Sequence, residues 1–132
     1  MRIRIILCIA WAILLFLFLC VWDVACMQGP RFDTRIAADP SWSGFFDLYH
    51  SFSPNMQLRK LGHVFGFAVL QFLLYAHFRR YSVSIGLAFA YALVTELAQP
   101  IFGRNGLLID VGVNLVGILL AALIQRLASR TQ

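Results

Sequence analysis

Seven polar residues stand out in a chain otherwise dominated by Leu, Ile, Val and Phe: Lys60, His63, Glu96, Gln99, Arg104, Asp110 and Asn114. Together they offer two carboxylates for acid–base or nucleophilic work, an imidazole that titrates near neutrality, and two cations suited to anions. Arginine in particular can donate two parallel bonds to a phosphate or carboxylate. Their spacing is helical. Lys60 and His63 are i,i+3, as are Glu96 and Gln99, while Asp110, Asn114 and Gly117 follow at i, i+4 and i+7. Each set forms a one-sided polar stripe, expected to face neighbouring helices.

The elements that position these stripes follow from composition. The chain has 132 residues, 61% of them apolar and 13% charged, with a mean hydropathy of +0.78. Soluble domains are about 45–50% apolar and about 25% charged. So much apolar surface in so short a chain cannot all be buried as core, which points to a membrane protein. Ile5–Trp22 and Leu61–Phe78 carry no charge when His63 is taken as neutral. Tyr81–Phe102 interrupts its apolar run with Glu96, and Leu107–Gln125 with Asp110 and Asn114. A crossing helix needs about 20 residues. We expect an all-α, four-helix transmembrane bundle forming a single domain over residues 1–132. Its helices fall at about 4–23, 60–78, 81–102 and 107–127, with a loop over 24–59.

The basic, apolar N-terminus also resembles a signal peptide. Its apolar stretch is longer than the usual ~7–15 residues and no A-x-A site follows, so a retained anchor is expected. Within the loop, "DPSWSGFFDLYHSF" predicts a short interfacial helix. Asp39 would cap it, Pro40 would lie in its first turn, and Trp42, Phe45, Phe46, Tyr49 and Phe52 would share one face.

The topology brings the starts of spans two and four and the end of span three to one side of the membrane, whichever way the chain is inserted. Glu96 lies seven residues before Gly103, about 10 Å deep, where an unpaired charge would cost several kcal/mol. The formal charges of Lys60, Arg104, Glu96 and Asp110 sum to zero, so the expected remedy is pairing of these carboxylates with Lys60 and Arg104. Pro100 lacks the N–H that would bond the Glu96 carbonyl. Gly62/Gly66, Gly86/Ala90 and Gly117/Ala121 are small-xxx-small pairs that permit close helix packing. Gln71 reads as interhelical hydrogen-bonding glue.

Six basic residues (Arg2, Arg4, Arg79, Arg80, Arg126, Arg130) flank one side and five (Arg31, Arg35, Arg59, Lys60, Arg104) the other. Arg79–Arg80 occupy a tight hairpin, and the opposite loop holds Asp33, Asp39 and Asp47, so both termini are expected in the cytoplasm and the polar cluster outside. The net charge of +5 fits anionic lipid headgroups, and no nucleic-acid motif is present. Cys8, Cys20 and Cys26 have no metal or disulfide spacing. His63, Glu96 and Asp110 could supply three metal ligands, but each comes from a different segment, so no metal and no cofactor is expected.

"KLGH" at 60–63, "ELAQ" at 96–99, Arg104, "DVGVN" at 110–114 and Gly117 together resemble the VanZ-like family of small membrane proteins. The resemblance covers residues 58 to about 122. It departs at Arg59, where such proteins often carry an acidic residue. It implies an integral membrane protein of the plasma membrane and, in some members, a link to glycopeptide (teicoplanin) resistance; it implies no particular reaction. Three function classes stay open. The first is recognition of an anionic lipid or cell-wall precursor headgroup. The second is an enzyme acting on an envelope lipid, with His63 as base, Asp110 or Glu96 as nucleophile or orienting acid, and Arg104 as phosphate clamp. The third is a non-catalytic membrane scaffold. A purely structural ion-pair network is the alternative for the polar cluster itself.

Overall fold

The four apolar runs become four helices in the computed structural model, which describes residues 2–23, 31–32, 36–47 and 54–130. Helix α1 spans Arg2–Phe16 and continues as a π-helical turn over Leu17–Val21. Helix α2 spans Pro54–Phe78, α3 Tyr81–Ala98 and α4 Leu108–Ala128. All four are long and apolar enough to cross a membrane, α1 counted together with its π-helical turn and α3 with the 3-10 turn Gln99–Phe102 that extends it.

Helix α2 begins six residues before the expected position 60. Pro54 opens it, its fixed φ suiting a first helical turn; Arg59 and Lys60 had closed the charge-free run without ending the helix. Helices α2 and α3 are joined by Arg79 and Arg80 alone. Arg79 adopts a left-handed φ of 55°, and its N–H still bonds Tyr75 O at 2.9 Å. The α3 end is closed by Gly103 with φ 71°, a conformation glycine adopts without steric cost.

Helix α2 is central and touches the other three. Phe67, Leu70, Ala88, Ala92 and Ile118 are buried where they meet. The α2–α4 contact is tight at Gly117, where any Cβ would run into the backbone of Val64. Ala121, one turn on, is also buried. Gly86 and Ala90 instead lie on the exposed face of α3, so that small pair does not mediate packing within the bundle. Polar links cross the apolar interior at intervals. Gln71 Nε2 donates to Ser84 Oγ at 3.0 Å, as expected of glue between helices. Trp11 Nε1 donates to Gly66 O at 2.9 Å, and Tyr91 OH to Ala12 O. At one end of the bundle Arg4 donates to Ala76 O at 3.0 Å.

In the first loop, Trp22–Asp23 pairs antiparallel with Arg31–Phe32. The aromatic segment is present, but residues 41–47 form turns rather than the expected helix. Gly44 and the flanking serines are poor helix formers, and the backbone has other work. Phe45 O accepts the N–H of Leu108, and Ala37 N–H donates to Ile101 O, both at 2.8 Å. The first of these bonds satisfies a donor at the start of α4 that no helical carbonyl can reach. Phe45 is buried beneath the turn, Phe46 points outward, and Trp42 Nε1 donates to Leu97 O at 3.2 Å. Tyr49, His50 and Phe52 lie outside the described residues.

Candidate functional site

Three helices deliver polar side chains to one point. His63 from α2, Glu96 from α3, and Asp110 and Asn114 from α4 are each no more than 2% exposed. His63 Nδ1 lies 3.0 Å from Asn114 Oδ1, to which it donates, and 3.4 Å from Glu96 Oε1. One ligand-capable atom from each of His63, Glu96 and Asp110 falls within 4.8 Å of the other two.

Each carboxylate is anchored through one oxygen. Glu96 Oε2 accepts the N–H of Leu107 at 3.2 Å. Leu107 is the residue that precedes the first turn of α4, so a carboxylate of α3 caps the next helix, where an anion is favoured. The contact depends on Gly106. A Cβ there would collide with the Glu96 carbonyl, the group that Pro100 leaves without its helical donor. Asp110 Oδ2 pairs with Arg59 Nη2 at 3.3 Å. The remaining oxygens, Glu96 Oε1 and Asp110 Oδ1, and the Asn114 Nδ2 donor are buried with no hydrogen-bond partner.

Of the seven residues singled out by spacing, His63, Glu96, Asp110 and Asn114 converge directly. Gln99 is buried beside them in chain order, in the 3-10 turn, where its backbone carbonyl accepts Arg104 N–H at 3.0 Å. Lys60 and Arg104 are half-buried. The cation in contact with Asp110 is Arg59, which the spacing did not select. Arg59 is i,i+4 and Lys60 i,i+3 from His63, about 40° and 60° from it on opposite sides, so spacing alone does not choose between them.

Arg59 also lines an apolar groove of about 250 Å³ between α1 and α2, with Trp11, Leu15, Phe18, Leu19 and Phe65 among its walls. Its side chain is 20% exposed, so it stands between the buried cluster and the bundle surface. The arrangement can hold a cation among its oxygens, relay a proton between carboxylates and imidazole, or present Arg59 to an anion at the groove.

A family profile described as VanZ/LLP1 matches residues 4–129. The uncharacterized membrane protein YwnJ of Bacillus subtilis (strain 168) is 38% identical over 65 residues, which make up 49% of this chain and 46% of that protein. The match thus spans a little under half the length of that relative. No solved structure matches.

Proposed function

Because the chain belongs to the VanZ/LLP1 family of membrane proteins, we propose that it recognises a phosphate-bearing lipid headgroup of the cell envelope at the polar end of α2, α3 and α4. The observation that carries this reading is the position of Arg59. Its guanidinium pairs with buried Asp110, and the residue also lines an apolar groove. A groove walled by Trp, Phe and Leu suits an acyl chain, and a guanidinium held close to it suits a phosphate. Lys60 and Arg104, at the same end in sequence, add positive field that draws anions.

In this reading the protein lies in the plasma membrane with both termini in the cytoplasm. The Arg79–Arg80 link then faces the cytoplasm and the cluster faces the outer leaflet, in keeping with the positive-inside rule. Cell-wall precursor lipids fall within the ligand class, which connects the reading to the glycopeptide resistance that the family resemblance implies.

Native mass spectrometry of the detergent-purified chain tests it. Phosphatidylglycerol and phosphatidylethanolamine are added in equal amounts. We expect preferential retention of the anionic lipid, lost in Arg59→Gln and kept in Arg126→Gln at the opposite end. Equal retention of both lipids, or loss in neither variant, contradicts the reading.

A specific observation favours a structural role as the second reading: the Leu107–Glu96 bond helps to cap α4. Under that role, lipid retention would track thermal stability across variants instead of following Arg59.

A further inference from the structure

We propose that His63, Glu96 and Asp110 form a binding site for a divalent transition-metal ion of the zinc class, set between α2, α3 and α4. The inference does not rest on headgroup recognition.

The first support is the donor set. One imidazole nitrogen and two carboxylate oxygens from three separate helices lie within 4.8 Å of one another. An ion at the centre of a triangle with such edges would be at most about 2.8 Å from each donor. Closing to the ~2.0–2.2 Å bonds that zinc makes with nitrogen and oxygen takes a contraction of roughly 0.7 Å. Imidazole with carboxylates suits zinc and its neighbours better than it suits magnesium or calcium, which prefer oxygen alone.

The second support is how the carboxylates are used. Glu96 spends Oε2 on Leu107 N–H, and Asp110 spends Oδ2 on Arg59. Each is thereby fixed in orientation and presents its other oxygen inward. Those two oxygens, Glu96 Oε1 and Asp110 Oδ1, are buried and accept no hydrogen bond, the nearest ring nitrogen to Oε1 being His63 Nδ1 at 3.4 Å. Buried acceptors are otherwise almost always satisfied, and leaving two carboxylate oxygens unsatisfied in a membrane interior is costly. A dication between them would offset that cost by coordinating both oxygens.

The third support is the surrounding shell. With Nδ1 donating to Asn114 Oδ1 at 3.0 Å, the ion would take the lone pair of His63 Nε2, the arrangement in which a partner on the other ring nitrogen orients a metal-bound imidazole. Asn114 Nδ2 is a buried donor without an acceptor, available to a water or anion completing the ion's coordination. Three protein ligands plus one exchangeable position is the pattern of open zinc sites. Sequence spacing carries no trace of such a site, because every ligand sits on a different helix.

The test uses the full chain in detergent, stripped with EDTA and dialysed against Co2+, a spectroscopic stand-in for zinc. One Co2+ per chain is expected, with visible d–d bands of low-coordinate cobalt that added Zn2+ abolishes. His63→Ala and Asp110→Asn should each reduce bound Co2+ at least tenfold, while His50→Ala and His77→Ala leave it unchanged. Should the first two variants fail to remain monodisperse, anomalous scattering from crystals of the wild-type chain grown with Zn2+ decides: a peak inside the triangle supports the site. Absence of stoichiometric Co2+, Co2+ binding that survives both cluster variants, or an anomalous peak elsewhere overturns it. An ordered water in place of the metal in Zn2+-grown crystals overturns it as well.

Discussion

Arg59 Nη2 and Asp110 Oδ2 lie 3.3 Å apart across 51 residues of chain. The pair ties the start of α2 to the first turn of α4 and gives a buried carboxylate its cation. Removing one member leaves the other charge desolvated, and breaking a fully buried pair costs about 3–5 kcal/mol. Arg59 is 20% exposed, so water screens part of that loss and a cost of about 1–3 kcal/mol is expected for Arg59→Gln. Asp110→Asn in the same chain should restore part of the stability. Thermal unfolding in detergent checks both. Strictly additive effects would mean the two residues are not coupled.

Helix α4 should be far more sensitive at Gly117 than at Gly112. A Cβ at Gly117 meets the Val64 backbone, while one at Gly112 meets nothing within 4 Å. Overpacking against backbone, which cannot rotate away, costs about 1–3 kcal/mol. Gly117→Ala should therefore lower the unfolding temperature. Gly112→Ala should leave it unchanged or raise it, since alanine is favoured over glycine in a helix by about 1 kcal/mol. Equal responses in the two variants would show that α2 and α4 do not approach at Gly117.

Gln71 is fully buried and donates to Ser84 Oγ at 3.0 Å, yet its replacement should be mild. Ser84 Oγ keeps its own acceptor at Tyr81 O, and interhelical hydrogen bonds in membranes contribute about 0.6 kcal/mol on average. Gln71→Leu is expected to change stability by no more than about 1.5 kcal/mol and to leave lipid retention intact. A large loss of retention would place a functional role at this remote position.

Gly106 should matter through Glu96. A side chain at 106 would push the chain off the Glu96 carbonyl and draw Leu107 N–H away from Oε2. Gly106→Ala is expected to speed amide hydrogen exchange at Leu107 and at the start of α4, with slower change in α1. Uniform acceleration throughout the bundle would instead indicate global destabilisation unrelated to the cap.

The spans were readable because charge-free runs of bilayer length admit few alternatives. The convergence of His63, Glu96, Asp110 and Asn114 was readable too, since alternating helix direction puts their ends together and i,i+4 spacing puts Asp110 and Asn114 on one face. The partner of Asp110 was not. Arg59 and Lys60 are adjacent cations, and choosing between them requires the rotation of α2, which Phe67 and Gly117 set by packing. The turns at 41–47 were hidden for a related reason. Amphipathic aromatic spacing resembles a helix, but the carbonyl of Phe45 is used to cap α4, a contact between residues 45 and 108 that no local pattern reveals. The close approach at Gly106 likewise exists only once α3 and α4 are side by side.

The claim on which the rest depends is that His63 and Asn114 meet inside the bundle at the end opposite Arg4 and Ala76. Oxidative cross-linking tests it most directly, in a chain whose Cys8, Cys20 and Cys26 are replaced by serine. The pair His63→Cys/Asn114→Cys should form an intramolecular cross-link with copper phenanthroline or a short bismaleimide, and Ala76→Cys/Asn114→Cys should not. Cross-linking in the second pair, or failure in the first while Arg4→Cys/Ala76→Cys cross-links readily, would contradict the cluster.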